Sequence, residues 1–329
     1  MWKAQLASRH LAAGGRGDVA AMGRMLAEHP DWLSKRGPHN RTLLWEATRR
    51  GHLAAMKWLV ARGAKLDATG CYNSESLVQL TPYCAAVYYQ HDEAAAYLKA
   101  QGAKLDIFRA TFMGEQARVA RALGKEPELL QADDPHDPIY FVPLPAFALV
   151  GGQTEMLEFL LERGAPVAPY SAQLLHLAAR VGRLEWVEQL IAAGADARAV
   201  DSGIFATVYD AEMLRYLIAH GTSATRIGKN GFPPLVYAAR GDKRESPETV
   251  QLLLEHGAPV DALGLRGRTA LHYAAAGGHA RVIQVLLDHG AALNLRDEAG
   301  ATPLELARAA GKTAAAALLG GRRKRAAKS

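Results

Sequence analysis

Twelve histidines, two cysteines and one acidic run are the residues through which this 329-residue chain could do chemistry. Imidazoles titrate near neutrality and ligate metals, so they serve as bases or as metal sites. Their positions, however, follow a recurring unit. His176 and His272 take one place in it, His52, His91 and His279 a second, and His220, His256 and His289 a third, directly before a closing glycine. Cys71 and Cys84 are too few for a disulfide framework or a zinc site. Cys84 reads as a small core filler, and no Ser/His/Asp or Cys/His constellation emerges from spacing. The run Asp133-Asp134-Pro135-His136-Asp137 is the one cluster that the recurrence leaves unexplained. Its three carboxylates and imidazole have the chemistry to hold a hard cation, but no glycine-turned, evenly spaced ligand loop accompanies them, and a solvated loop is expected. Gly311-Lys312-Thr313 lacks the upstream glycine of a phosphate loop, since Leu306 stands there, and reads as an interhelical turn. Arg240-Gly241-Asp242 spells an adhesion tripeptide but falls where a helix must end.

The recurring unit follows from local physics. Thr302 can accept a backbone N–H as an N-cap, and Pro303 at the first helical position loses nothing because its N–H would be unpaired anyway. Leu271, Ala274 and Ala275 supply a short apolar helix broken at Gly278. Val282, Val285 and Leu286 then supply a second stripe at helical spacing, and Gly290 ends it where positive φ is wanted. Neither helix buries its stripe alone, so such units stack. Closing glycines recur at Gly63, Gly102, Gly164, Gly194, Gly221, Gly257 and Gly290, at spacings scattered around about 33 residues. A further unit, Leu105 to Leu123, keeps its mid-unit Gly114 but lacks a closing glycine, and Gly17-Asp18 opens a degenerate first unit.

TALHYAAAGGH (Thr269 to His279), LLHLAARVGR (Leu174 to Arg183) and TPYCAAVYYQH (Thr81 to His91) carry the pattern most clearly. In period and in its T-P-L-H-x-A pattern the chain resembles ankyrin repeats, about ten of them. The resemblance implies an all-α helical solenoid of paired antiparallel helices with hairpin-like finger loops. It would span residues 1–320, degenerate and rich in loops over 1–167 and close to consensus over 168–320.

Composition agrees: 49% hydrophobic residues allow a substantial core. No apolar run approaches the roughly 18 residues of a membrane span. The N-terminus, punctuated by Lys3, Arg9 and Arg16, reads as part of the first repeat rather than as a signal peptide. The two cysteines suit a reducing cytoplasm. The formal charge of +6 falls to +1 without Arg322, Arg323, Lys324, Arg325 and Lys328, so the folded body has no excess charge for nucleic acid. The tail, 321–329, is expected to be basic and disordered; a nuclear-localisation or nucleic-acid-binding tail is the alternative. The last helix, Thr313 to Leu319, is short and apolar, which predicts weak self-association through the C-terminal repeat.

Function is sought where the pattern departs from itself. The resemblance leaves two places per repeat free of packing duty, the finger and the two residues ending the first helix, both on the concave side. Those two residues are Arg49-Arg50, Tyr88-Tyr89 and Phe112-Met113 in repeats two to four, but Arg180-Val181, Thr207-Val208, Arg240-Gly241 and Ala276-Gly277 later. Arginine and aromatics are the types that anchor interfaces. An extended finger at Cys71 to Ser76 adds Tyr72, and a second insertion, Lys125 to Val142, carries the acidic run. Trp45 and Glu46 replace the histidine and apolar residue expected in repeat two; Trp45 and Tyr83 read equally as gap fillers or as contact residues. The expectation is a non-catalytic, cytoplasmic protein-binding scaffold without cofactor, acting as adaptor, inhibitor or toxin-neutralising partner. Its concave contact set is Arg49, Arg50, Tyr72, Tyr88, Tyr89, Phe112 and Met113. The alternatives are a solenoid-based enzyme or metal-binding protein using 133–137, and nucleic-acid binding through the tail.

Overall fold

The computed structural model describes residues 11–71, 78–136, 141–208, 210–228, 231–241 and 245–326. The chain falls into two compact units, Met1–Pro166 and Val167–Ser329. Each holds five helix pairs among the described residues.

In the first unit a helical stretch over 11–16 pairs with α1 (Val19–Glu28). Then come α2 (Leu43–Arg49) with α3 (Leu53–Val60), α4 (Pro82–Tyr88) with α5 (Asp92–Ala100), α6 (Ile107–Phe112) with α7 (Gln116–Lys125), and α8 (Leu144–Gly151) with α9 (Thr154–Glu162). The second unit comprises α10 (Ser171–Val181) with α11 (Leu184–Ala192), α12 (Ile204–Thr207) with α13 (Ala211–Ala219), α14 (Pro234–Arg240) with α15 (Pro247–Glu255), α16 (Ala270–Gly277) with α17 (Ala280–Asp288), and α18 (Pro303–Ala309) with α19 (Thr313–Ala326). First helices pack on first helices, α2 on α4 and α6 on α8 in one unit, α14 on α16 and α16 on α18 in the other. The last helix continues through residues 321–326, which the sequence reading assigns to a disordered tail.

Caps start the first helices. The side chains of Thr42, Thr81 and Asp106 accept the backbone N–H groups of Trp45, Cys84 and Arg109, each satisfying a donor that the helix leaves unpaired. Thr302 and Glu305 form a reciprocal capping box, with Thr302 N–H donating to Glu305 Oε2 at 2.7 Å. Second helices end on a common device, seen at Gly290, where φ is 83° and the next residue, Ala291, donates its N–H to Leu286 O at 3.0 Å. Only a residue without Cβ takes that φ freely. Where repeat four lacks the glycine, Glu126 and Pro127 end α7 and a single 3-10 turn, Pro127–Gln131, replaces the finger's start.

The extended finger of repeat two is bracketed by a two-stranded antiparallel ribbon, β1 (Gly70–Cys71) and β2 (Gln79–Leu80), pairing Gly70 with Leu80 and Cys71 with Gln79. Met22, Leu43, Leu44, Met56, Leu59 and Leu98 form a continuous core beneath it, joined by Tyr83.

Candidate functional site

Repeat two places a carboxylate where a core residue belongs, and α2 compensates it locally. Glu46 is buried, and Arg49, one turn on, forks it with Nε to Oε2 at 2.8 Å and Nη2 to Oε1 at 2.7 Å. Such bidentate pairs are strong and fix the guanidinium plane. Burial raises the Glu46 carboxyl most, but the Arg49 hydrogen bonds together with the charges of Arg49, Arg41 and Arg50 outweigh it and hold the group below its ordinary value. The Arg49 guanidinium is raised in turn, chiefly by Glu46 and also by Tyr89. Arg41 approaches the same carboxylate at 3.6 Å, donates Nε to Cys71 O at 2.7 Å, and lies over the Trp45 ring at 4.7 Å.

Trp45 is 0% exposed and donates Nε1–H to Leu80 O at 2.8 Å, so it ties α2 to the ribbon rather than facing a partner. Tyr83 is likewise buried. On this floor stands an aromatic stack. Tyr89 meets Trp45 edge-on at 6.5 Å and Tyr88 edge-on at 5.1 Å, and lies 6.4 Å from the His91 ring. Tyr88 is 40% exposed, and beside it Val87 is exposed too. Edge-to-face rings attract beyond their area, which holds the stack in one arrangement.

Of the seven residues expected at the contact surface, the structure brings Arg49, Arg50, Tyr88 and Tyr89 to the adjacent ends of α2 and α4. Met113 is half-buried against the core cluster. Phe112 departs from expectation: it is 3% exposed and supports Tyr88 from beneath, ring to ring at 6.4 Å. The cause lies on α8, where Gly151 lets the backbone press so closely that a Cβ there would strike the Phe112 carbonyl oxygen. Tyr72 lies outside the described residues.

The acidic run is also not what its composition suggests. Asp134 is buried, and Arg109, 0% exposed on α6, forks it with Nη1 to Oδ1 and Nη2 to Oδ2, both 2.7 Å. Arg109 Nη2 also donates to Gln79 O on β2 at 2.7 Å, and Nη1 reaches Asp106 Oδ2 at 3.2 Å. His136 closes the group, its Nδ1 3.1 Å from Asp134 Oδ1. Burial raises the Asp134 carboxyl, but hydrogen bonds from His136 and Arg109 outweigh it and keep it below its ordinary range. Asp134 is thus a counter-ion that knots the insertion to the ribbon and to α6. Both of its oxygens are in use, and no group of three or more metal-ligating side chains is assembled among the described residues. Asp137 lies outside the described residues.

Six of the histidines that recur with the repeat face backbone carbonyls. His52, His91 and His279 set Nε2 against Gly15, Arg49 and Arg240 carbonyl oxygens at 3.0, 3.1 and 3.1 Å, each in the preceding repeat. His220, His256 and His289 set Nδ1 against carbonyls one turn back. Burial lowers the His272 imidazole, which completes the Thr269 cap. Burial pushes the Cys84 thiol up to about 12, far from thiolate chemistry.

The family model described as ankyrin repeat matches residues 39–71, 174–202 and 230–264, and the model described as ankyrin repeats (many copies) matches residues 253–307. The chain is an ankyrin repeat protein. No curated protein matches it. Ankyrin repeats are protein-binding modules, and among the described residues no helix is long and apolar enough to cross a membrane. The first ankyrin match takes in Arg41, Glu46 and Arg49, so the buried carboxylate and its two guanidinia sit within a recognisable repeat. Tyr88, Tyr89 and Arg109 lie between matched segments. The second unit has its own exposed apolar side chains, Val181 at the end of α10 and, away from any α-helix end, Ile227, Leu263 and Leu265. The ends of first helices point to Val181 but not to Ile227, Leu263 and Leu265, which sit in fingers.

Proposed function

We propose that the protein binds another protein through the ends of the first helices of repeats two to four, the concave side in ankyrin arrays, and does so without catalysis. The observation that carries this reading is the Tyr88–Tyr89 pair, Tyr88 exposed and Tyr89 half-buried, set above a floor of Trp45 and Phe112 and flanked by Arg49 held in one plane by Glu46. Rigid aromatics beside arginine lose little entropy on docking and form interface anchors. Met113 completes the edge of this surface, and Tyr72 belongs to the finger beside it. Adaptor, inhibitor and neutralising roles all use such a face. A non-catalytic role fits a protein in which His52, His91 and His279 bridge to backbone of the preceding repeat and the Cys84 thiol stays protonated.

Affinity capture from the native cell with wild type beside a Tyr88→Ala, Tyr89→Ala double variant tests the reading. The partner captured by the wild type is expected to be lost by the variant. Full capture by the folded double variant contradicts it.

A further inference from the structure

An open cleft of ≈ 370 Å³ lies between the helical stretch 11–16 and the start of repeat two, and reaches Glu46 and Arg50 on the helix that packs against the tyrosine-bearing α4. Its charged lining is uneven: Arg16, Arg41 and Arg50 against the single carboxylate of Glu46. That carboxylate is already forked by Arg49 from outside the cleft. Arg16 and Arg50 are exposed and make no ion pair among the described residues. Arg41 is different in kind. It is 8% exposed, pinned by Cys71 O and by the Trp45 face, and its guanidinium forms a loose ion pair with Glu46 at 3.6 Å, a carboxylate that Arg49 already holds more tightly. Burial lowers it despite Glu46, as expected of a cation whose desolvation is only partly compensated.

We infer that this cleft is a carboxylate-binding subsite, formed by Arg16, Arg41 and Arg50, that takes an acidic side chain of the protein docked on Tyr88 and Tyr89. The inference rests on the reading above for its partner, not for its chemistry. Three arginines line one cleft, one of them already held in place, and planar guanidinium forks match carboxylate geometry. Leu11 and Pro38 give the cleft apolar walls, and Glu46 at its floor disfavours a multiply charged guest. Both features suit one Asp or Glu on a peptide better than a phosphate chain. Arg50 joins the two surfaces, since it follows Arg49 at the end of α2 and also lines the cleft.

The test is a titration of the full chain with a blocked leucine-glutamate peptide, followed by the Nε–Hε resonances of its arginines. Saturable shifts are expected at Arg16, Arg41 and Arg50. The matching leucine-glutamine peptide should give none. Arg50→Ala and Arg16→Ala, both at exposed positions, should each weaken binding about tenfold, the loss of a charge-assisted hydrogen bond. Absence of saturable shifts, indifference to both substitutions, or shifts with inorganic phosphate but not with the glutamate peptide would each overturn the assignment. The Tyr88→Ala, Tyr89→Ala variant should keep the arginine shifts. Should it instead capture its partner fully while the shifts persist, the tyrosine face fails and the carboxylate subsite stands. If the shifts are absent while that variant loses the partner, the reverse holds.

Discussion

The two units are built from the same helix pair and use it differently. In the second, Thr269 and Thr302 cap their helices, His272 is buried neutral in one of those caps, and three of the four matched segments lie there. In the first, the ribbon and the 125–142 insertion interrupt the period, and ionised groups are buried in pairs, Glu46 with Arg49 and Asp134 with Arg109. Buried pairs contribute little net stability, because desolvation offsets attraction, but removing one partner is costly. The second unit has one comparable pair, the buried Asp297 with the half-buried Arg268, beside its apolar packing and caps, whereas in the first unit such pairs also tie the ribbon and the insertion to the helices. A surface that presents Tyr88 and Tyr89 beside Arg41 and Arg49, both held in place, benefits from rigidity of the latter kind.

The largest effect expected is at the Arg109 knot. Arg109→Ala should destabilise by about 3–5 kcal/mol, because Asp134 is left buried without its counter-ion. Its counterpart in the regular unit, Arg268→Ala, should cost about 1.5–3 kcal/mol, since Asp297 keeps the N–H groups of Ala299 and Ala301. Denaturant midpoints of the two variants at equal slope measure the difference; equal losses would break the contrast between the units.

Acid sharpens it. The folded Asp134 carboxyl lies below its ordinary 3.8, so its stabilisation is complete above that value and is lost as pH falls through the folded one. Asp134→Asn should therefore be clearly less stable than wild type at neutral pH, with the gap closing below about pH 4. A gap independent of pH would show that the ion pair is not the source.

Binding comes next. Arg50→Ala should weaken partner binding by about 2 kcal/mol with an unchanged melting temperature. Arg281 on α17, whose pair with Glu248 is exposed, should change stability by about 0–1 kcal/mol and binding not at all when replaced by alanine. Comparable binding losses from both would remove the first unit's special status.

The smallest effect concerns α19, whose Ala314 and Ala317 are exposed. Deleting residues 322–329 should leave the chain folded and more prone to self-association, read as a concentration-dependent sedimentation profile.

Much of the fold is legible in the sequence because glycines and threonines mark where helices end and begin, and each mark has a local cause. The displacement of histidine by Trp45 and of an apolar residue by Glu46 also signals a special repeat two, although not that Trp45 is core. The Arg109 knot is hidden, because its partner is 25 residues away across an insertion and nothing local in Ile107–Phe112 demands a carboxylate. Phe112 is misjudged for a related reason. Counting positions along a helix does not show how closely the next helix approaches, and Gly151 sets that distance.

The central claim is that the irregular unit carries the partner. Amide exchange of the full chain, free and with its captured partner, tests it most directly. Added protection is expected at the ends of α2 and α4, around Arg49–Arg50 and Tyr88–Tyr89, with the second unit unchanged. Protection confined to the second unit, around Ile227, Leu263 and Leu265, would contradict the account.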